Sequence, residues 1–271
     1  MNIKIISREE KLINNLNSFK MNLPGDISLY VSGQVKVDRA FILARLSGFH
    51  ANLALEEGFL KGNDEQFRQN FYLAHLISDE ANKKGFNPGF RDLGFPIKYF
   101  AFALLSDSSD CVKAISEVEL FNKDDYKGYH FYCHLLQLLL KDDFEAIQGF
   151  LESGKKRCSG DFRNQLIEGK DFFTLIINRD VAGLEAHIEA LAHKKTSVLI
   201  DGEFLNPWAS VCAKICWIKG IEVQVDHPLV PMDLMPVRPL DHYEIEYEFL
   251  KPGWEPPKQS FMDRVKRMVK R

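Results

Sequence analysis

From residue 38 to residue 220 the apolar positions recur at helical spacing almost without a break. In FRQNFYLAHLISDEANKKG, Phe67, Phe71, Ala74, His75 and Ile77 follow the 3.6-residue period, Arg68, Gln69, Asp79 and Lys83 take the other side, and Gly85 is placed to end the helix. GYHFYCHLLQLLLKDD repeats the pattern with Tyr129, Tyr132, Leu135, Leu136 and Leu139. The alternation that would mark strands is nearly absent from this stretch.

A weak internal repeat organises these helices. LLQLLLKDDFEAIQGFLES, residues 135–153, aligns without gaps on FFTLIINRDVAGLEAHIEA, residues 172–190. Each copy ends one helix at a charged turn, Lys141-Asp142-Asp143 or Arg179-Asp180, and opens a second with an aspartate able to cap the first-turn N–H groups. LEEGFLKGNDEQFRQNFYL, residues 55–73, carries a similar signal around Lys61 to Asp64. The fold predicted is all-α: stacked antiparallel helical hairpins, repeat-like, over residues 38–222.

The pattern changes at both ends. Residues 1–37 are a mixed lead-in whose ISLYVSGQVKVD, residues 27–38, suits either a short strand pair or an irregular approach. Over residues 223–257, prolines 228, 231, 236, 239, 252, 256 and 257 forbid long helices, so the chain runs extended as a strap. The strap is expected to lie over the last hairpin with Leu229, Val230, Leu234 and Val237 buried. Residues 258–271 form a basic tail. Trp208 and Trp217 are expected to anchor the core and Trp254 to be more exposed, with Pro207 in the first turn of the helix that carries the first two.

Composition narrows the function classes. The 271-residue chain is 45% hydrophobic and 27% charged, ordinary for a globular protein with a sizeable core. Its net charge of -3 provides no global positive field for nucleic acid or an anionic membrane. Five cysteines at wide spacings read as reduced thiols, and the N-terminus lacks an apolar leader core, so the expected location is the cytoplasm.

Candidate chemistry is thin. No phosphate-cradling glycine loop, nucleophile elbow, His-Glu-x-x-His helix or Cys-x-x-Cys pair occurs, so no catalytic residue, metal ligand or cofactor is assigned. His130 and His134 stand one helical turn apart around Cys133, but no acidic third ligand sits at a matching offset. Asp226-His227 and Asp241-His242 could serve a metal-dependent hydrolase only if the prolines between them fold back; local turn contacts are the simpler role. Over residues 223–257, Asp226, Asp233, Asp241, Glu244, Glu246, Glu248 and Glu255 against Arg238 and Lys251 give a net of -5. Tyr243, Tyr247, Phe249 and Trp254 are interleaved with these acids. Asp241, Tyr243, Glu244, Glu246, Tyr247, Glu248 and Trp254 are therefore the candidate partner-binding residues, with carboxylates to steer a basic partner and rings to anchor it.

The segment NPWASVCAKICWIKGIEVQVDHPLVPMDLMP, residues 206–236, joins a helix ending at Trp217, Lys219 and Gly220 to an extended, proline-bounded closure. Together with the RDVAGLEAHIEAL hairpin it resembles the immunity protein 49 family of bacterial polymorphic toxin systems, over roughly residues 40–240. The resemblance implies a helical cytoplasmic antidote without cofactor that binds and neutralises a cognate toxin and is not an enzyme. An acidic face would suit a nucleic-acid-targeting toxin with a basic surface, without direct contact of this chain to nucleic acid or membrane. A helical-repeat adaptor for another cellular protein is the alternative, because it requires the same scaffold.

Overall fold

The computed structural model describes residues 6–32, 39–84, 95–119, 121, 123–126, 129–194 and 203–255. Four times among the described residues a helix stops, one residue enters the left-handed region, and the next residue caps a new helix. The left-handed residues are Gly62, Asp107, Asp142 and Arg179, and the caps that follow them are Asn63, Ser108, Asp143 and Asp180. Each cap accepts a hydrogen bond from the backbone N–H three residues on, at Gln66, Cys111, Ala146 and Gly183. The left-handed residue reverses the chain, and the cap satisfies an N–H that the new helix cannot. The expected turns at 62, 142 and 179 are therefore present, and Ser106-Asp107-Ser108 adds one that the sequence pattern had not shown.

These turns join α2 (Arg39–Leu55) with its π-helical continuation (Glu56–Leu60) to α3 (Asp64–Lys83), and α4 (Phe95–Leu105) to α5 (Ser109–Glu117). They also join α6 (Tyr129–Leu140) to α7 (Phe144–Arg157), and α9 (Phe172–Ile177) to α10 (Val181–Ala192), with α8 (Gly160–Glu168) between the last two pairs. α11 (Pro207–Ile218) packs against α4 and α10. The arrangement is all-helical and built from antiparallel hairpins. We expect Asp143→Ala and Asp180→Ala each to cost about 1 kcal/mol, the usual worth of a side-chain cap, read from the midpoint of chemical unfolding.

Small residues let α2 and α3 pack closely. Ser47 donates to the carbonyl of Ala74 at 2.8 Å and lies 2.7 Å from the Ser78 hydroxyl, with Ala51, Ala54 and Ala81 on the same buried faces. At the π turn, a Cβ on Gly58 would come within 2.5 Å of the Phe67 ring, so only glycine admits this approach. Asn206 caps α11 through the N–H groups of Trp208 and Ala209 and donates to Leu191 O at 2.9 Å, fixing the end of α10 to the start of α11. Pro207 occupies the first turn as expected.

Several expectations are corrected. The lead-in is a helix: α1 (Arg8–Val31) starts at a capping box formed by Ser7 and Glu10 and includes residues 27–31, placed above in a possible strand pair. Its last turn buries Tyr30, and that packing outweighs the local β-branched preference. Arg68 and Gln69, assigned to the solvent side of α3, are buried at 3% and 7% exposure. Trp208, Trp217 and Trp254 are all half-buried, so Trp254 is not set apart. Gly85, residues 33–38 and the tail at 258–271 lie outside the described residues.

Two apolar clusters result. The larger runs through α3, α4, α6 and α11, and the smaller gathers Leu23, Tyr30, Leu43, Leu46, Leu73 and Ile77 between α1, α2 and α3. The chain after α11 touches both, through Val223, Val225, Val230, Leu234 and Met235 in the first and Phe249 in the second.

Candidate functional site

The segment after α11 is held by one buried carboxylate. Asp107, in the left-handed position of the α4–α5 turn with φ of 58°, projects between α3, α11 and the strap. Arg68 Nε donates to its Oδ2 at 2.9 Å, Lys214 Nζ lies 2.5 Å from its Oδ1, and the backbone N–H of Arg238 donates to Oδ2 at 3.1 Å. Lys214 also donates to the carbonyls of Leu234 and Met235, both at 3.1 Å, and of Pro236 at 3.3 Å. Arg68 Nη1 donates to Asp64 O at 2.9 Å.

Lys214 is fully buried and Asp107 is 6% exposed. Burial pulls the Lys214 ammonium below its ordinary range, while the Asp107 carboxylate opposes that shift. Two cations thus share one anion, a clamp closed to substrate that fixes residues 234–238 from three sides. Its grip explains a correction in the strap: Val230 and Leu234 are buried as expected, but Leu229 is only half-buried, Val237 is 47% exposed and Met235 takes the buried place. Drawing three consecutive carbonyls onto Lys214 turns Met235 inward and releases Val237 to the surface.

Beyond the clamp the strap lies across α3 and α2 with alternate residues facing inward. Tyr243, Ile245 and Tyr247 are half-buried and Phe249 is buried, whereas Glu244, Glu246 and Glu248 face solvent. The Tyr243 hydroxyl donates to Ser106 O at 2.6 Å and accepts from Leu240 N at 3.1 Å, and its ring packs 4.7 Å from that of Tyr72. Gln69 meets the backbone of Glu244 with both halves of its amide, donating to the carbonyl at 2.8 Å and accepting the N–H at 3.1 Å.

His50 completes the fastening. Its Nδ1 lies 2.9 Å from Asn70 Oδ1, and its Nε2 lies 2.8 Å from the Tyr247 hydroxyl. The Asn70 Nδ2 is engaged with Gln66 O, so its oxygen accepts from Nδ1–H, leaving Nε2 to accept the Tyr247 proton. Burial holds the imidazole down at about 4, so it stays neutral at ordinary pH. Tyr247→Phe is expected to cost about 1–2 kcal/mol by stranding Nε2. Faster amide exchange over residues 243–250 at constant global fold would register it.

Of the seven candidate partner-binding residues, the structure thus separates two sets. Asp241, Glu244, Glu246 and Glu248 are exposed; Glu248 is paired with Lys251 in the next turn. Tyr243, Tyr247 and Trp254 face the fold, with Trp254 stacked 5.8 Å from Tyr30. The Asp-His pairs are not gathered. Asp226, Asp241 and His242 are exposed, and His227 is half-buried with Nδ1 accepting from Leu229 N at 3.2 Å. His134 packs edge-on against Phe150 at 5.1 Å. Among the described residues no group of three or more histidine, cysteine, aspartate or glutamate side chains could hold a metal ion. Burial pushes the thiols of Cys111 and Cys212 up to about 12, which keeps them protonated.

The residues that sequence reasoning missed are Asp107, Lys214, Arg68, Gln69 and His50. Lys214 did leave a signal: it is the one charge in the helix PWASVCAKICWI, and a lone lysine among apolar neighbours requires a buried partner. No helix among the described residues is long and apolar enough to cross a membrane. Comparison with protein-family models, with curated proteins and with solved structures returned no match for this chain.

Proposed function

We propose that this protein is a cytoplasmic immunity protein that binds and neutralises a cognate bacterial toxin without catalysing a reaction. The observation that carries this reading is the division of labour along residues 243–247. Tyr243 and Tyr247 fasten the strap to the helical body, and the intervening Glu244 and Glu246 face outward, with the Glu244 backbone held by Gln69. A capture surface benefits from such rigidity because little side-chain and backbone freedom is lost on binding. Carboxylates fixed in a row favour a basic partner, such as a toxin whose own surface is shaped for nucleic acid. The resemblance of residues 206–236 to the immunity protein 49 family points the same way.

The test is protection of cells that express the product of the neighbouring gene. Reversing Glu244, Glu246 and Glu248 to lysine should slow toxin association and weaken protection while the fold stays intact, since exposed substitutions usually change stability by less than about 0.5 kcal/mol. His227→Ala with His242→Ala should leave protection unchanged. If the histidine variant loses protection while folded and the charge-reversal variant keeps it, the binding account is wrong and an acid-base or metal role for the Asp-His pairs replaces it.

A further inference from the structure

The inner fastening of the strap leaves one main-chain edge without hydrogen-bond partners among the described residues. From Tyr243 to Tyr247, just before the 3-10 turn Glu248–Leu250, the side chains alternate inward and outward, the period of an extended strand, and in such a chain successive N–H and C=O groups point to opposite lateral edges. The edge that carries the N–H and C=O of Glu244 is occupied by the Gln69 amide, which stands in for a neighbouring strand. The opposite edge carries the N–H and C=O groups of Tyr243 and Ile245. Among the described residues, no hydrogen bond reaches any of these four groups. An extended segment with one sealed edge and one open edge is a template for a further strand.

We infer that the open edge at Tyr243 and Ile245 takes an extended, lysine- or arginine-bearing segment of the partner protein as an added strand. This rests on the binding function proposed above and specifies how that binding is made. The charge pattern selects the occupant. Glu244 and Glu246 stand on the outward face two residues apart, so a strand paired beside them would place alternate side chains opposite them at cross-strand distance. Positive charge at those positions is favoured and negative charge is disfavoured. The inward face is already committed, through Tyr243, Tyr247 and Phe249, to the helical body. Added pairing therefore requires no rearrangement of the strap, and main-chain bonds would supply affinity while the carboxylates supply selectivity.

The probe is a short peptide alternating lysine and valine, added to the full chain, with fluorescence anisotropy for binding and amide exchange for location. Saturable binding is expected, with slowed exchange at the Tyr243 and Ile245 amides. Methylating alternate amide nitrogens of the peptide should weaken it by about tenfold or more, because it removes the pairing edge and keeps the charge. A glutamate-valine peptide should not bind. Ile245→Pro should reproduce the loss from the protein side, and the methylated peptide keeps the test valid if that variant misfolds.

Equal binding of the methylated and unmethylated peptides would overturn the inference in favour of charge attraction alone. Absence of binding, or protection confined to other amides, would overturn it as well. Protection of the same amides by self-association would assign the edge to a second copy. Tighter peptide binding by a chain lacking residues 258–271 would assign it to the basic tail, and either result rejects a partner strand. If the peptide fails while toxin protection persists, this inference falls and the immunity reading stands; the reverse outcome leaves the edge as a strand-docking site and removes the toxin.

Discussion

Asp107→Ala is expected to be among the most damaging single substitutions in this protein, costing about 3–5 kcal/mol, the usual penalty for stranding a buried charge. Among the described residues no other carboxylate meets both Arg68 and Lys214, and removal of Asp107 leaves Lys214 buried without a counter-ion and Arg68 with only the Asp64 carboxylate at 4.0 Å. At this chain length the loss corresponds to a fall in Tm on the order of 10 °C. The comparison with Lys214→Met gives the prediction its sign. That substitution removes one cation from a cluster with an excess of one, leaves Arg68 paired with Asp107, and fills the space with an unbranched apolar chain. It should cost less than Asp107→Ala even though it frees the carbonyls of Leu234, Met235 and Pro236. Equal or reversed effects in thermal unfolding would mean that the carbonyl contacts, and not the charge balance, hold the strap.

Acid should unfold the protein early. His50 and His75 are 2% and 1% exposed, and burial lowers each from an ordinary value of 6.5 to about 4. Between those values the unfolded chain binds protons that the folded chain refuses, so folding stability rises with pH across that window and is lost as pH falls through it. Near pH 5 each histidine should have removed roughly 2 kcal/mol relative to neutral pH, or about 4 kcal/mol together. Glu246, whose carboxyl is raised by desolvation and by Glu244, acts in the opposite direction, but its exposure keeps that effect small. Denaturant midpoints measured across this range should fall steadily from pH 7 toward pH 4. Imidazole resonances of His50 and His75 that titrate near 6.5 in the folded protein would contradict the account.

Much of the helical architecture was legible because it depends on short-range rules. The 3.6-residue apolar period of residues 67–83, the turn at Lys141-Asp142-Asp143, and the equivalent turn at Arg179-Asp180 all express local geometry: a buried stripe, a left-handed residue, a cap. The repeat at 135–153 and 172–190 was visible because two hairpins solve the same turn with similar residues. The turn at Ser106-Asp107-Ser108 uses the same geometry, yet its uncharged flanks and the capping serine concealed the match. The lack of long helices among the described residues after α11 was also legible, since prolines exclude them whatever surrounds them.

What the sequence could not decide is where the polar residues of those elements point. Arg68 and Gln69 occupy the polar side of an amphipathic pattern, and nothing local distinguishes them from Lys83, which stays near solvent. They are buried because distant segments reach that side of α3 and supply partners: Asp107 of the α4–α5 turn for Arg68, and the Glu244 backbone of the strap, more than a hundred residues later, for Gln69. The same crossing turns Tyr243 and Tyr247 from candidate contacts into fasteners, converts the end of α1 from a candidate strand into a helix that buries Tyr30, and exchanges Val237 for Met235 in the core. Periodicity and turn chemistry act over a few residues and are written in the chain by itself; the assignment of a buried charge or hydrogen bond depends on which distant groups arrive beside it, and only the packed structure determines that.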